Sequence, residues 1–259
     1  MRSIAAFVLR RTFWLMIVPC VAVPACAREK AFMPAAAPAQ IVSPQQVFAD
    51  AAAARLAEAI ASGDIANVRL LAAKTDLSVR GDKDVTLLQW ALLNRQPQSM
   101  RVLLEAGADP AQPGVDGDTV LHLAAMANDA TYLELLLQHG ASANAVNPQS
   151  GANALRSALM GERPQQFQML LKAGANPNHA DQLGNTPLHV AGQVNEPERA
   201  LELLRAGADP AARNAQGVTF QRYLFMTKSA LLNAETRRQR EAVEAWLREH
   251  RIPLENAGS

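Results

Sequence analysis

One pattern recurs along the chain at a period of about 33 residues and constrains the fold more than any other feature of the sequence. A Gly-Ala pair begins at Gly107, Gly140, Gly174 and Gly207. A threonine or asparagine that precedes a helical pattern recurs at Thr86, Thr119, Asn153, Thr186 and Thr219. Paired leucines recur as well, beginning at Leu70, Leu103, Leu136, Leu170 and Leu203. Three landmarks in one register predict units that stack in a row, because each unit leaves an apolar face that its neighbour covers.

Each unit has the pattern of two short helices followed by a turn. In residues 117–145, Thr119 is placed to cap the first helix, "VLHLAAMA", through its hydroxyl. Gly140 is placed to end the second helix, "TYLELLLQHG", in the left-handed conformation that favours glycine. Apolar residues at spacings of three and four predict the buried faces: Leu121, Ala124 and Ala125 in the first helix, and Leu133, Leu136 and Leu137 in the second. The tail "ASANAVNPQSG" predicts a turn or hairpin that projects from the helices.

These segments resemble the ankyrin repeat, above all "DTVLHLAA", "NTPLHVAG", "LLEAGADP" and "LLRAGADP". The tetrapeptide Thr186–His189 matches the family motif fully, and the stretch from Thr119 to His122 lacks only its proline. The resemblance covers residues 56–254. It implies an all-α fold, an ankyrin-repeat solenoid of stacked helix-turn-helix units with projecting hairpin turns, about six units including the caps. It also implies structural roles for the residues of the repeat motif: Thr119, His122, Gly140, Thr186, His189 and Gly207.

The repeat register divides the domain, residues 48–254, into three parts. An N-terminal cap unit spans 48–82, full repeats span 83–214, and an extended C-terminal cap unit spans 215–254, followed by a tail over 255–259. The fourth unit departs from the motif, since Asn153 replaces its threonine and Arg156 its histidine. The last unit carries about ten extra residues, and a longer cap helix is favoured over a functional insertion because terminal repeats are usually atypical.

The N-terminal segment, residues 1–27, has the pattern of an export signal, with three arginines and no acid, an apolar run and small residues at its end. This predicts cleavage after Ala27 and a periplasmic protein. Two alternatives stay open: a retained anchor helix, and a lipoprotein of the envelope acylated at Cys26. The pair Arg10-Arg11 partly resembles a twin-arginine signal, so the export route also stays open. The proline-rich stretch over 28–47 predicts a flexible linker.

Both cysteines, Cys20 and Cys26, lie in the predicted export signal. The remaining chain therefore has no internal disulfide, no catalytic thiol and no cysteine-bound zinc. It contains 22 basic and 24 acidic residues, a net charge of −2, which predicts no nucleic-acid partner. The histidines show no metal-ligand spacing, and no nucleophile or phosphate-binding motif is present, so we expect no enzymatic activity, no cofactor and no metal.

A curved stack has a concave face formed by hairpin tips and by one side of the first helices, and in ankyrin-like proteins this face binds partner proteins. Carried over slot by slot, the candidate partner-binding residues are Asp116, Asp118, Met126, Met160, Gln182, Asn185 and Gln193. The methionines either form an adaptable apolar stripe or fill gaps between helices.

The function predicted from the sequence is a non-enzymatic protein–protein interaction module that acts as a monomer in the periplasm. One alternative is an immunity-type inhibitor that neutralises a secreted toxic effector enzyme. Another is an accessory factor for an envelope or stress-response enzyme. Contact with a membrane is expected only through the export signal or through lipidation at Cys26. The sequence does not identify the partner.

Overall fold

The structure, a computed structural model, describes residues 43–255. The predicted export signal, most of the predicted linker and residues 256–259 of the predicted tail lie outside the described residues. Within 43–255 the elements are α-helices and short 3-10 turns, with two isolated bridges, Arg80–Thr86 and Val146–Asn153, and no strand. This confirms the predicted all-α solenoid. No helix among these residues has both the length and the apolar character that crossing a membrane requires.

The helices form six pairs, which we number as units one to six. In chain order the pairs are Ala51–Ser62 with Ile65–Ala72, Leu87–Leu93 with Pro97–Glu105, Val120–Met126 with Thr131–Gln138, Ala154–Met160 with Pro164–Lys172, Pro187–Gln193 with Pro197–Arg205, and Phe220–Leu224 with Ala234–Glu249. A short helix, Pro44–Val47, precedes them, and 3-10 turns span Asp82–Asp84, Val115–Gly117 and Ser229–Leu231. The first helix of each unit packs on the first helices of its neighbours, and second helices pack on each other in units one to three and in units five and six, so the units stack in sequence order.

Local sequence signals determine where the helices begin and end. The Thr86 hydroxyl accepts a hydrogen bond from the backbone N–H of Gln89 at 3.1 Å, which satisfies one of the free donors at a helix start. Three second helices begin with proline, whose missing amide hydrogen costs nothing at that position. Gly140 and Gly207, with φ of 81° and 89°, follow the ends of second helices in the left-handed region.

The predicted hydroxyl cap at Thr119 is wrong, because the Thr119 side chain makes no cap hydrogen bond to the helix backbone. Its hydroxyl oxygen instead lies 2.9 Å from Nδ1 of His122, which is buried beside it. Thr119 therefore stabilises the unit by orienting an imidazole ring.

The core lies between the layer of first helices and the layer of second helices. Leu136 and Leu203 have no exposed area, in agreement with the repeat register. Leu70 breaks that register, since 53% of it is exposed while Val68 and Ala72 of the same helix are buried. The leucine pair predicted at Leu70-Leu71 is thus displaced by one position from the pairs of the later units. Unit one has its own register, because Val68 and Ala72, four residues apart, face the core in place of Leu70.

The folded part begins earlier than the sequence predicts. Residues 43–47, the end of the predicted flexible linker, include the helix Pro44–Val47. Phe48 follows it, is buried, and packs edge-on against Trp90 with ring centroids 5.8 Å apart. The Trp90 indole Nε1 donates a hydrogen bond to the Ala57 carbonyl at 2.9 Å. These contacts join the start of the domain to units one and two, because an aromatic pair buries a large apolar area on both sides.

Residues 252–255 cover the C-terminal end of the helix stack. The Gln221 Nε2 amide donates to the Pro253 carbonyl at 3.1 Å, and the Glu255 amide nitrogen donates to Gln221 Oε1 at 3.0 Å. Residues 252–255 thereby occupy the place of the hairpin that a seventh unit would supply, with Ile252 and Leu254 packed on the core. Glu255, predicted to begin a free tail, belongs to this closing segment.

Candidate binding surface

A repeated side-chain contact fixes each hairpin to the unit before it. The side chain three residues after the threonine that precedes the first helix reaches a backbone carbonyl of the next unit. In unit two, Gln89 Nε2 donates to the Asp118 carbonyl at 2.7 Å. In units three and five, Nε2 of His122 lies 3.1 Å from the Ala152 carbonyl and Nε2 of His189 lies 3.0 Å from the Val218 carbonyl. In unit six the contact comes from one position earlier, since Gln221, two residues after Thr219, donates to the Pro253 carbonyl. We call these contacts inter-unit staples.

The two histidines of these staples are neutral structural residues. A carbonyl oxygen requires a donor, so Nε2 carries the proton and Nδ1 is left as an acceptor. Nδ1 of His122 then accepts from the Thr119 hydroxyl, and Nδ1 of His189 accepts from the Thr186 hydroxyl, both at 2.9 Å. Burial lowers the pKa of both rings below the usual 6.5, because the charged form is poorly solvated there.

Unit four lacks this staple, because Arg156 occupies the histidine slot. Its Nε instead lies 4.0 Å from the Asp181 carboxylate. Other contacts hold the hairpins of units four and five together. Nε2 of His179 lies 2.7 Å from the Gly151 carbonyl, and the backbone N–H of Gln182 donates to the Ser150 carbonyl at 3.0 Å. The fourth unit is therefore atypical in its joint to the fifth as well as in its sequence.

The predicted placement of Asp118 on the free surface is wrong. Asp118 is buried, and its Oδ1 accepts a hydrogen bond from the Asn147 Nδ2 amide at 2.7 Å. The same amide also donates to the Asp116 carbonyl at 3.0 Å. Asp118 thus connects two neighbouring hairpins, because a buried carboxylate requires hydrogen-bond donors close by.

Asn185 was predicted to face a partner, but its side chain makes hydrogen bonds that hold neighbouring units together. Its side-chain Oδ1 accepts a hydrogen bond from Nδ2 of Asn214 in the next unit at 2.9 Å. Its backbone N–H donates to the Asp181 carboxylate at 2.8 Å. Gln193 lies next to it, with Nε2 at 3.4 Å from Asn185 Oδ1. Asn185 therefore aligns the hairpins of units five and six.

The other predicted residues lie on the surface to different degrees. Asp116, Gln182 and Gln193 are exposed, and Met126 is half-buried. Met160 is 48% exposed. Of the two alternatives for the methionines, this exposure favours a surface position for Met160 over a gap-filling one.

One surface residue at a hairpin tip was missed. Leu183 is 66% exposed, directly before Gly184. Asp116 and Gln216 precede Gly117 and Gly217 in the same way, so the slot was visible in the sequence. Backbone contacts hold the tip in place, because the Ala215 amide donates to the Leu183 carbonyl at 2.9 Å. An apolar side chain in this fixed and solvated position is a candidate contact for a partner.

A cleft of about 270 Å³ lies between units four and five, at the loops that join the first and second helix of each unit. Its lining includes Leu159, Phe167, Glu162, Glu196 and Arg199. Burial raises the pKa of the Glu196 carboxyl above its usual value, although the nearby Arg199 opposes this effect. Arg199 is itself paired with the carboxylates of two neighbouring glutamates, Glu198 and Glu202. The cleft is small, and its lining mixes apolar, acidic and basic side chains.

In units two and four the residue that occupies the Glu196 slot is a hydrogen-bond donor. Gln96 Nε2 donates to the Ala61 carbonyl at 3.4 Å in unit two, and Arg163 Nε donates to the Met126 carbonyl at 3.1 Å in unit four. An ionised glutamate cannot donate, so unit five lacks this contact. Across residues 43–255 no cluster of three or more histidine, cysteine or acidic residues has the arrangement of a metal site.

The sequence is similar to proteins built from one known repeat. The profile of the family described as ankyrin repeats, in three copies, matches residues 121–214. Protein PhlB of Serratia liquefaciens is 47% identical over 140 residues, which make up 54% of this chain and 62% of PhlB. The nuclear factor NF-kappa-B p105 subunit of Gallus gallus is 31% identical over 147 residues, 55% of this chain and 15% of that protein. The chain spans less than two thirds of either relative.

Solved structures give the same result at the level of the fold. An ankyrin repeat domain from Acinetobacter baumannii AYE superposes with a TM-score of 0.62 at 27% identity, covering 76% of this chain and 98% of that domain. A second ankyrin repeat protein superposes with a TM-score of 0.61 at 20% identity, covering 74% of this chain and 96% of its own, and shows the fold alone.

Proposed function

Because this chain carries ankyrin repeats, which imply a protein–protein interaction module, we propose that it binds a protein partner through the hairpin tips and first helices of units three to five. The observation that carries the proposal is the exposure of Leu183 and Met160, 66% and 48%, on a face whose other side chains stabilise the stack. Apolar side chains that the core leaves in water provide binding energy when a partner covers them.

The corrected contact set is Asp116, Met126, Met160, Gln182, Leu183 and Gln193. Asp118 and Asn185 are left out, because their side chains connect neighbouring hairpins. These two residues position the tips without supplying contact area. Their substitution would therefore move the surface as well as change it, which makes them unsuitable as probes of binding.

The surface charges favour a partner segment with a cationic end. The hairpin tip of unit three carries an exposed acidic residue, Asp116, whereas at the tip of unit two Arg80 and Lys83 balance Asp82 and Asp84. The tips of units four and five carry Gln149, Gln182 and Leu183, which are uncharged. A segment with a basic residue facing unit three and apolar residues facing units four and five complements both parts, because complementary charge determines orientation and association rate.

The site of action belongs to the same proposal. The segment 1–27 supports export, since an arginine-rich start precedes an apolar run and a small-residue end. We therefore place the partner in the periplasm, with inhibition of an effector and assistance to an envelope enzyme as two forms of the same binding event.

The proposal is tested by capturing the partner from an envelope extract and measuring its affinity for matched variants. Met160→Ala combined with Leu183→Ala is expected to weaken binding by tenfold or more, about 1.4 kcal/mol, without unfolding the domain. Leu70→Ala is the control, because Leu70 is equally apolar and 53% exposed but lies on the second helix of unit one. Equal affinity of the double variant and the control would place the interface elsewhere.

A further inference from the structure

The last unit contains an insert between its two helices. Residues 225–233 connect Leu224 to Ala234, whereas residues 194–196 make the same connection in unit five. Two side chains of the insert, Phe225 and Leu232, are buried. Two others, Met226 and Leu231, are 71% and 77% exposed, the most exposed large apolar side chains of residues 43–255.

Two arginines of the terminal helix hold the insert in this conformation. The Arg237 guanidinium donates to the Ser229 carbonyl at 3.2 Å and to the Leu232 carbonyl at 3.1 Å. Arg240 is buried, donates to the Thr227 carbonyl, and lies 5.0 Å from the centre of the Phe225 ring. Buried anchors and charged donors fix the backbone on both sides of the exposed residues. The insert backbone therefore holds the side chains of Met226 and Leu231 in solvent.

The surroundings of the insert are basic. Four basic residues around the insert are exposed, Arg222, Lys228, Arg237 and Arg238, against two exposed acidic residues, Glu235 and Glu241, because the fifth basic residue of this stretch, Arg240, is buried. Glu235 lies 3.9 Å from Arg238. Arg222 and Lys228, four residues before and two residues after Met226, are exposed. Two apolar side chains thus project from a surface that attracts anions.

We propose that this insert binds the surface of an anionic phospholipid membrane, with Met226 and Leu231 entering the interface and Arg222 and Lys228 facing the headgroups. Apolar side chains combined with basic residues give membrane binding that depends on both buried area and lipid charge. The excess of exposed basic residues beside these side chains complements anionic headgroups, which distinguishes the insert from the uncharged tips around Leu183 and favours a lipid surface. Met226 occupies in unit six the slot that Met126, Met160 and Gln193 occupy in units three to five, so the insert continues that column into the last unit and is tested by its own variants.

The test compares the full chain and its variants on vesicles of phosphatidylcholine alone and of phosphatidylcholine with about one third phosphatidylglycerol. Met226→Ser with Leu231→Ser removes the apolar contact, and Arg222→Glu with Lys228→Glu reverses the charge. Met160→Ser with Leu183→Ser is the matched control, because it changes two exposed apolar residues outside the insert. We expect each insert variant to lower binding to the anionic vesicles by about tenfold or more, and the control to leave it unchanged.

A local measurement separates the insert from the apolar N-terminal segment, which adds its own affinity for lipid. Hydrogen–deuterium exchange of the amides in residues 226–233 should slow with anionic vesicles and stay the same with neutral ones. Unchanged exchange there, or equal losses of binding in the insert variants and the control, would overturn the proposal and favour a protein partner for the insert. Neither result bears on the partner binding proposed for units three to five, which the affinities of the Met160 and Leu183 variants for the captured partner test.

Discussion

Nε2 of His189 lies 3.0 Å from the carbonyl oxygen of Val218, which belongs to the next unit. The same ring accepts a hydrogen bond from Thr186 through Nδ1, so one imidazole joins the start of its own helix to the hairpin that follows. His122 makes the corresponding pair of contacts with Thr119 and Ala152. Both rings have to be neutral to accept and donate in this way, which links the stack to pH.

The first prediction is that stability decreases in acid because of these two rings. Burial lowers the pKa of His122 and His189 in the folded chain, while the unfolded chain keeps the usual 6.5. The stabilisation is therefore complete above pH 6.5 and is lost as the pH falls toward the folded values, where the unfolded state binds protons that the folded state does not.

Urea melts between about pH 5 and pH 8 measure this dependence. The double variant His122→Gln and His189→Gln should flatten it, because glutamine already makes the staple at Gln89 and Gln221. His250→Gln, at an exposed histidine, is the control and should leave the profile unchanged. A double variant that keeps the wild-type acid dependence would show that other groups cause it.

The second prediction concerns the missing staple of unit four. In Arg156→Gln the side chain should donate to the Asn185 carbonyl, which occupies the place of Val218 and Ala152 in the repeat. The gain relative to Arg156→Ala is expected to be about 0.5–1.5 kcal/mol in the free energy of unfolding, the usual net value of one hydrogen bond. Both variants lack the Arg156–Asp181 contact, 4.0 Å in the wild type, so its loss cancels in this comparison. Equal stability of the glutamine and alanine variants would contradict the assignment of the slot.

The third prediction is that Glu196→Gln stabilises the domain at neutral pH. The substitution removes a carboxyl whose pKa is raised by burial, and it restores a donor of the kind that Gln96 provides in unit two. The ionised carboxylate destabilises the folded state above its raised pKa, and this cost disappears when the pH falls below the pKa of the unfolded chain.

The advantage of Glu196→Gln should therefore shrink as the solution becomes acidic, and melts at neutral and acid pH compare the two conditions. Glu198→Gln, the neighbouring and more exposed glutamate, is the matched control. A stabilisation that stayed constant with pH would come from the new hydrogen bond alone and would reject the contribution of the carboxyl.

The fourth prediction measures the repeat register. Leu136→Ala and Leu203→Ala should each lower the free energy of unfolding by about 2–5 kcal/mol, because both leucines are fully buried and their truncation leaves a cavity. Leu70→Ala should cost only about 0.5 kcal/mol, since the side chain is exposed. Denaturant melts of the three variants decide the matter, and similar losses at Leu70 and Leu136 would reject the register of unit one.

Part of the candidate surface was predictable because its positions follow from the period. Asp116, Met160, Gln182 and Gln193 lie on the surface, in slots that can be counted from the threonine of each unit. Counting also leads to Leu183, which was overlooked. The exposed fraction of each side chain was not predictable, because it depends on the hairpin of the next unit.

By itself the sequence determined the repeat, the order of the units, the left-handed glycines at the helix ends and the extra length of the last unit. These features depend on local spacing and backbone preference, which short stretches of sequence record directly. Only the tertiary structure decided that Asp118 and Asn185 serve the stack, that Arg156 breaks the line of staples, and that Met226 and Leu231 project from a clamped insert. Each of these outcomes depends on a contact with a neighbouring unit or helix, or on a surface left uncovered, and no local pattern encodes such a contact.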